Sequence, residues 1–158
     1  VRDDYRAVMA SCALPGFCRP VKVGDRYYYD GGVADSIPLH HAIEHGCTKM
    51  VVILSNPRDF VKKPEAHRPF YKHMLHKYPK TIQSIDNRHI NYQASIDLAS
   101  RLEKEGYVFI FAPSRHMPLS TFSKDAALEQ DLYDLGVADY EARAEELKHF
   151  LNTPYKKL

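Results

Sequence analysis

The chain has 158 residues, of which 44% are hydrophobic and 27% are charged, and its formal net charge is +2. This length suits one folded core and this composition is typical of globular proteins, which excludes a disordered chain. Because the net charge is small and the basic residues are scattered, the sequence predicts no nucleic-acid binding. No apolar run approaches the roughly 18 to 20 residues that a membrane-spanning helix needs.

The three cysteines, Cys12, Cys18 and Cys47, show no C-x-x-C spacing. They therefore predict neither a zinc site nor a disulfide framework. We expect Cys12 and Cys18 to be packing residues. Unpaired thiols favour a reducing, cytoplasmic setting.

The first segment predicts a helix that begins almost at the first residue. Asp4 is the expected N-cap, and Pro15-Gly16 is the expected end. The predicted apolar side of this helix consists of Tyr5, Val8, Met9 and Cys12. Because the sequence starts with Val1 and enters a helix at once, we expect it to be the C-terminal part of a longer protein.

A tight hairpin is predicted next. Two short β-type runs flank Gly24-Asp25, which fits a turn with glycine at its first central position. The second run contains Tyr27, Tyr28 and Tyr29 and leads directly into Asp30-Gly31-Gly32. Since side chains alternate faces along a strand, at least one tyrosine should pack inward. Strand packing is favoured over a lipid-facing role for these rings.

Beyond the hairpin, helix and strand patterns alternate. Pro38 predicts the first turn of a helix that ends at Gly46. Residues 50–54 form a continuous apolar run, which is typical of a parallel strand buried on both faces. Residues 107–112 repeat that pattern.

The second half of the chain is rich in predicted helix. Its strongest pattern places apolar residues three or four positions apart and ends at Gly106. The members of this pattern are Ile82, Ile85, His89, Tyr92, Ile96, Ala99 and Leu102. A shorter helix before it carries Phe70, Met74 and Leu75. Two further helices are expected, one from the cap Ser123 to Gly136 and one that opens at Asp139. The alternation predicts an α/β fold, a mainly parallel sheet flanked by helices, with an α-rich C-terminal extension.

The residues alone leave three interpretations of Asp30-Gly31-Gly32 open. The first is a turn, in which aspartate tolerates turn conformations and glycine supplies positive φ. The second is a metal or phosphate loop, although further acidic ligands and a GxxxxGK[ST] pattern are missing. The third is a catalytic carboxylate at the end of a strand, where sites of α/β proteins gather.

Two motifs carry a resemblance to a known family. Residues 10–17 read Ala-Ser-Cys-Ala-Leu-Pro-Gly-Phe, and after the hairpin come Asp30-Gly31-Gly32 and then Ile37-Pro38. In this order and at this separation they resemble the second half of a patatin-like phospholipase domain. We therefore assign residues 1–55 to the C-terminal portion of such a catalytic domain and residues 56–158 to a helix-rich extension of a bacterial subgroup.

The resemblance implies lipid acyl-ester hydrolysis by a serine–aspartate dyad, without a metal or a cofactor. Asp30 maps onto the general base, and Gly31 and Gly32 onto its supporting motif. The family's nucleophilic serine lies in a Gly-x-Ser-x-Gly elbow, and a glycine-rich loop supplies the oxyanion donors. Neither pattern occurs in this sequence, since Ser11, Ser36 and Ser55 all lack flanking glycines. The chain alone is therefore expected to hold the base, to lack its nucleophile and to be inactive.

Histidines offer weaker candidates. His41 and His45, one helical turn apart, could suggest a metal, but a solvated helix face is favoured because no third ligand follows. The surface interpretation is also favoured for His73 and His76. His89 lies on the apolar seam of the long helix, and we expect a hydrogen-bonded core histidine rather than a catalytic base.

The predicted partners follow from the same patterns. The intact protein would take a lipid or ester substrate. Arg58, Lys62 and Lys63 are candidates for peripheral contact with an anionic membrane, although a solvated loop is favoured. A buried strand at residues 50–54 needs neighbouring strands. Its unpaired edge therefore predicts self-association or association with the N-terminal portion. The alternative function is a non-catalytic module that binds a protein or a membrane through the long helix and residues 155–158.

Overall fold

A computed structural model describes residues 4–118 and 124–154, and within these ranges it contains five α-helices and four short strands. The helices are α1 (Arg6–Ser11), α2 (Leu39–Glu44), α3 (Arg68–Met74), α4 (Pro79–Lys104) and α5 (Ala126–Asn152). The strands are β1 (Val21–Val23), β2 (Arg26–Tyr28), β3 (Met50–Ile53) and β4 (Val108–Phe111). Helices mixed with a parallel strand pair, and a helical C-terminal region, confirm the predicted α/β class.

The chain divides into two compact units, and each combines two separate stretches of sequence. The first unit contains the residues up to Pro38 together with Lys62–Ser95. The second contains Leu39–Val61 together with the residues from Ile96 onward. The division between residues 55 and 56 stays a prediction.

The hairpin of the first unit forms as predicted. Strands β1 and β2 pair antiparallel, with Val21 opposite Tyr28. Gly24 has a φ of 59°, the left-handed conformation that glycine adopts without strain, and this conformation closes the turn. Tyr27 and Tyr28 are exposed, whereas Tyr29 is half-buried and its ring meets that of Tyr78 edge-on at 5.5 Å. The inward tyrosine is therefore the one that immediately precedes Asp30.

Helix α1 differs from the prediction in its buried face. Tyr5, not Asp4, is the N-cap, although the Asp4 carboxylate still accepts a hydrogen bond from the Arg6 amide. The buried residue of α1 is the small Ala10, and the small Ala13 just after the helix is buried as well. These small side chains allow the backbone to pack closely against β1. The expected apolar face is largely exposed, as are the cysteines that were expected to pack. These residues are Tyr5, Val8, Met9, Cys12 and Cys18.

The long helix α4 ends where the sequence predicted. Gly106 has a φ of 85°, and the Tyr107 amide donates to the Leu102 carbonyl at 2.9 Å, which closes a glycine-terminated C-cap. Leu75, after the shorter helix α3, is 2% exposed and belongs to the core of the first unit. Phe70 and Met74 of the same predicted face are exposed.

In the second unit β3 and β4 pair in parallel, with Met50 opposite Val108. Strand β4 is buried on both faces, as predicted. The same prediction is wrong for β3, because Val51 and Ile53 are 42% and 79% exposed. Within the described residues β3 pairs with β4 alone, so one face and one edge of β3 remain uncovered.

Charged side chains close the free edge of β4. The amide of Ile110 donates to Glu103 at 3.1 Å, and its carbonyl accepts from Arg58 at 3.0 Å and from Arg143 at 2.6 Å. Arg58 also forms two hydrogen bonds with Glu103, and this pairing lowers the pKa of the Glu103 carboxyl. The guanidinium of Arg143 lies 4.5 Å from the centre of the Phe109 ring. This cluster satisfies the outward-facing groups of Ile110 and blocks further strand pairing there.

One continuous helix replaces the two expected near the C-terminus. Helix α5 passes through Gly136 and Asp139 without interruption, because a single glycine costs a long helix only about 1 kcal/mol. Its N-cap is Asp125, whose carboxylate accepts from the amides of Ala127 and Leu128. The expected cap Ser123 lies outside the described residues. Asp139 instead accepts a hydrogen bond from the Ser114 amide at 2.9 Å.

Helices α4 and α5 exceed the length of a bilayer span, but both carry many charged residues. Over the described part of the chain, no helix combines enough length and apolarity to cross a membrane.

Candidate active site

Asp30 lies two residues after the end of β2, at the N-cap of a 3-10 turn formed by Gly31–Val33. Its backbone is extended, with φ −50° and ψ 125°, and its carboxylate accepts a hydrogen bond from the Gly32 amide at 2.8 Å. The residue is half-buried. Asp30 therefore caps the turn that follows it, and its second carboxylate oxygen receives no hydrogen bond from the residues that the structure describes.

The backbone of Asp30 joins the two motifs that carry the family resemblance. Its amide donates to the carbonyl of Ala13 at 2.9 Å. Ala13 is 1% exposed and lies inside the Ala-Ser-Cys-Ala-Leu-Pro-Gly-Phe motif. The turn after Asp30 is thereby tied to the segment that follows α1.

The two glycines have different surroundings. Neither is among the glycines with positive φ, so the idea that they supply left-handed backbone is wrong. A Cβ at Gly32 would lie 3.2 Å from Oδ1 of Asp30, whereas a Cβ at Gly31 would meet nothing within 4 Å. A side chain at Gly32 would therefore crowd the Asp30 carboxylate, whereas one at Gly31 would not.

Two side chains of α4 hold the turn from the other side. Arg88 donates from Nε to the Gly32 carbonyl at 3.1 Å and from a terminal nitrogen to Glu65 at 3.0 Å. Asn91, three residues further along, donates to the Ala34 carbonyl at 3.2 Å. Sequence reasoning missed Arg88, Asn91 and Glu65, because side-chain pairing across more than 20 residues leaves no periodic signal in the chain.

In the described residues no serine hydroxyl donates to the Asp30 carboxylate. Ser36 donates to the Gly32 carbonyl at 2.7 Å and so stabilises the turn. The Ser55 hydroxyl lies 3.5 Å from the side-chain nitrogen of Asn56, at the limit of hydrogen-bond distance. The turn thus presents a carboxylate and no nucleophile from these residues.

The histidine candidates lie apart from any metal-binding arrangement. The rings of His41 and His45 are 4.2 Å apart, and Nδ1 of His45 lies 2.8 Å from the His41 carbonyl oxygen. His76 makes the same kind of contact with the carbonyl of His73. No three metal-ligating side chains cluster anywhere in residues 4–118 and 124–154.

His89 differs from the prediction of a hydrogen-bonded core histidine. It is half-buried on α4, and its buried Nδ1 has no hydrogen-bond partner among the described residues.

Two of the three cations that are candidates for membrane contact form ion pairs within the chain. Arg58 is paired with Glu103 at 2.6 Å, and Lys62 lies 3.5 Å from Glu65. Lys63 is exposed.

Three clefts lie elsewhere, and Asp30 lines none of them. In the first unit a hollow of about 250 Å³ is lined by Pro64, Glu65, Arg68, Tyr71 and Asp86. In the second unit a cleft of about 640 Å³ includes Arg58 and Arg143, and a more apolar one of about 440 Å³ includes Val51 and Ile53.

The hollow of the first unit contains a tight polar cluster. Arg68 donates two hydrogen bonds to Asp86, at 2.8 and 2.7 Å, and Tyr71 donates a third at 2.7 Å. Chiefly because of Arg68, the pKa of Asp86 is lowered to about 2. Burial, together with the bond to Asp86, raises the pKa of Tyr71 to about 12. Both groups keep their ordinary charge at neutral pH, so this cluster is a structural one.

Comparison with known proteins divides the chain into two matched parts. Residues 3–43 match the family described as Patatin-like phospholipase, which supports a patatin-like segment here and, coarsely, a lipid hydrolase family. Residues 78–152 match the family described as Domain of unknown function (DUF6363).

A curated relative is similar to a short part of the chain. This is the Uncharacterized protein YjjU of Escherichia coli (strain K12), which is 37% identical over 59 residues. The aligned stretch covers 37% of this chain and only 16% of the relative. No solved structure matches.

Proposed function

We propose that this chain is the C-terminal region of a patatin-like lipid acyl hydrolase and that Asp30 is the general base of its serine–aspartate dyad. The observation that carries the proposal is the placement of Asp30. Within the patatin-like segment, the residue follows a strand, is tied through its backbone to Ala13, and has one carboxylate oxygen that receives no hydrogen bond from the described residues. The reaction class is hydrolysis of a carboxylic ester of a lipid.

In this reaction a serine hydroxyl attacks the acyl carbonyl, and Asp30 accepts the hydroxyl proton as the new bond forms. The tetrahedral intermediate collapses to an acyl-enzyme, and the alcohol leaves with the proton that Asp30 accepted from the serine. Water then attacks the acyl-enzyme with Asp30 again as the base, which releases the acid and restores the serine. The Gly32 amide fixes the orientation of the carboxylate, so little geometric reorganisation is needed during attack.

The nucleophile of the proposed dyad comes from a Gly-x-Ser-x-Gly elbow outside these residues, since the sequence contains none. The chain by itself is therefore proposed to be inactive. We further propose a cytoplasmic enzyme with peripheral access to lipid, and a division of the chain into residues 1–55 of the catalytic domain and residues 56–158 of the extension.

The direct test is the substitution Asp30→Asn in the full-length protein. Asn keeps the size of the side chain and an oxygen for the Gly32 amide, but it cannot accept the serine proton. We expect kcat for a short-chain ester to fall by about 10³-fold or more while the circular dichroism spectrum is unchanged. Retention of wild-type turnover by this variant would remove Asp30 from the mechanism.

Fluorophosphonate labelling separates the proposal from its alternative. The reagent should label the full-length protein and not the 158-residue chain. The alternative is a non-catalytic binding module, and the uncovered apolar side chains of Val51 and Ile53 favour it as the second candidate. Absence of labelling in both proteins would support that module.

A further inference from the structure

We propose that Arg88 is the positioning residue for the catalytic carboxylate, so that helix α4 orients the active-site turn from outside the patatin-like segment. This inference rests on the proposed function of Asp30. Arg88 lies beyond the residues 3–43 of the patatin match and inside the residues 78–152 of the second match. It would act through the backbone of Gly32 and would not touch the substrate.

The carbonyl groups of the turn differ in where their hydrogen-bond donors come from. The carbonyl of Asp30 accepts from Val33, and that of Gly31 accepts from the next two amides after Val33, so both are satisfied locally. The carbonyl of Gly32 accepts from the hydroxyl of Ser36 and from Arg88. The Ala34 carbonyl accepts from Asn91. Helix α4 thus supplies a donor at two of these four positions.

Arg88 is itself held in place. Its guanidinium binds Glu65 at 3.0 Å while Nε binds Gly32 at 3.1 Å, and Glu65 also lies 3.5 Å from Lys62. A planar guanidinium fixed at two of its nitrogens has little freedom to rotate. The side chains of Arg88 and Glu65 are each 34% exposed, so the pair adds little stability and its value is geometric.

The connection to the carboxylate passes through one residue. The carbonyl of Gly32 accepts from Arg88, and the amide of Gly32 donates to Oδ1 of Asp30 at 2.8 Å. Loss of the Arg88 bond allows the turn to rotate at Gly32, and rotation there moves the amide that orients the carboxylate. Small displacements of a catalytic base cost rate because the attack geometry is narrow.

The test compares Arg88→Gln, Arg88→Lys and Arg101→Gln in the full-length protein. Arg101 is exposed on the same helix, so its variant is a matched control for loss of one guanidinium. We expect Arg88→Gln to lower kcat about ten- to a hundredfold with KM within about twofold. Arg88→Lys keeps the charge and one donor but loses the fixation of the guanidinium at two nitrogens, so it should recover only part of that loss. Equal effects in Arg88→Gln and Arg101→Gln would overturn the positioning role.

A second readout does not depend on catalysis. In the full-length protein with glycine-selective ¹⁵N labelling, Arg88→Gln should shift the Gly32 amide signal, and Arg101→Gln should leave it in place. If the wild-type protein hydrolyses no ester, the proposed function fails, but this shift still decides whether Arg88 orients the turn. An unmoved Gly32 signal in a folded Arg88→Gln protein would refute the inference.

The variant Asn91→Ala serves if Arg88→Gln does not fold. It removes only the donor to the Ala34 carbonyl. We expect a smaller loss of kcat in the same direction and a smaller shift of the Gly32 signal. Wild-type behaviour in both measurements would contradict the positioning of the turn by α4.

Discussion

The backbone amide of Asp30 donates a hydrogen bond of 2.9 Å to the carbonyl of Ala13. This single bond connects the two sequence motifs, which are separated by the whole β1–β2 hairpin. Ala13 is almost fully buried, so its carbonyl would be costly to leave unpaired. The bond therefore fixes where the chain leaves β2 and hence where the Asp30 carboxylate is presented.

The pair Gly31 and Gly32 offers a sharp test of the turn. Gly32→Ala places a Cβ 3.2 Å from Oδ1 of Asp30 and should displace the carboxylate, whereas Gly31→Ala introduces no contact. We expect Gly32→Ala to lower kcat for ester hydrolysis at least about tenfold in the full-length protein. Gly31→Ala should keep near wild-type kcat and a thermal midpoint at or above that of the wild type. Equal kcat values for the two variants would contradict the close approach at Gly32.

The parallel strand pair predicts unequal costs for two isoleucines. Ile110 is 2% exposed and Ile53 is 79% exposed. Ile110→Ala should lower the free energy of unfolding by about 2–5 kcal/mol, because it removes buried methyl groups and leaves a cavity. Ile53→Ala should change it by less than about 0.5 kcal/mol. Urea denaturation followed by circular dichroism measures both, and comparable losses would show that β3 is covered on its outer face in solution.

The Arg68–Asp86 pair predicts a pH-dependent stability. The pKa of Asp86 falls from its ordinary value of 3.8 to about 2 in the folded state, so the ionised form stabilises the fold. This contribution is fully present above about pH 4 and is lost as the pH falls through about 2. In a double-mutant cycle with Arg68→Gln and Asp86→Asn, we expect a favourable coupling at pH 6 that is much weaker near pH 2. A coupling as large at pH 2 as at pH 6 would contradict the pairing.

Tyr71 predicts a separate titration at high pH. Its pKa is raised to about 12, because the phenol is shielded from water and donates to the Asp86 carboxylate. Below about pH 10 the phenol keeps its proton and the bond stabilises the fold, and between about pH 10 and 12 that contribution is lost. Absorbance at 295 nm should show a late phase in the wild type that Tyr71→Phe removes. Its survival in that variant would assign the late phase to another tyrosine.

The uncovered strand β3 predicts self-association of the 158-residue chain. Its outer edge has no partner in the described residues, and Ile53 adds exposed apolar surface. We expect sedimentation velocity to show dimers or larger species that Ile53→Lys reduces. Val61→Lys changes an equally apolar residue that is 68% exposed in a loop, and it should have no such effect. A wild-type chain that sediments as a monomer would contradict self-association through the edge of β3.

Local patterns predicted the parts of the molecule that depend on a few neighbouring residues. The β1–β2 turn follows from Gly24, and the end of α4 follows from Gly106, because both need a backbone conformation that glycine adopts without strain. The apolar run in β4 correctly predicted a strand buried on both faces. The same reasoning failed for β3, because the burial of a strand depends on which other elements cover it. An apolar run in the sequence does not identify those elements.

Helix α5 shows that local signals for the ends of helices can be overridden in the folded chain. Gly136 and Asp139 are good local signals for an end and a start, yet the helix continues through both. Asp139 binds the Ser114 amide instead of capping a helix, and that contact joins residues 25 positions apart. Tertiary packing outweighs a local preference of about 1 kcal/mol.

The order of residues shows an aspartate after a predicted strand, two small residues behind it and no Gly-x-Ser-x-Gly, because these are properties of adjacent residues. The anchoring of Asp30 by Ala13, and the binding of Arg88 and Asn91 to the turn after it, became visible only in the folded chain. Such contacts form when the folded chain brings distant residues together, and each needs only one hydrogen-bond donor, which many positions in the sequence could supply.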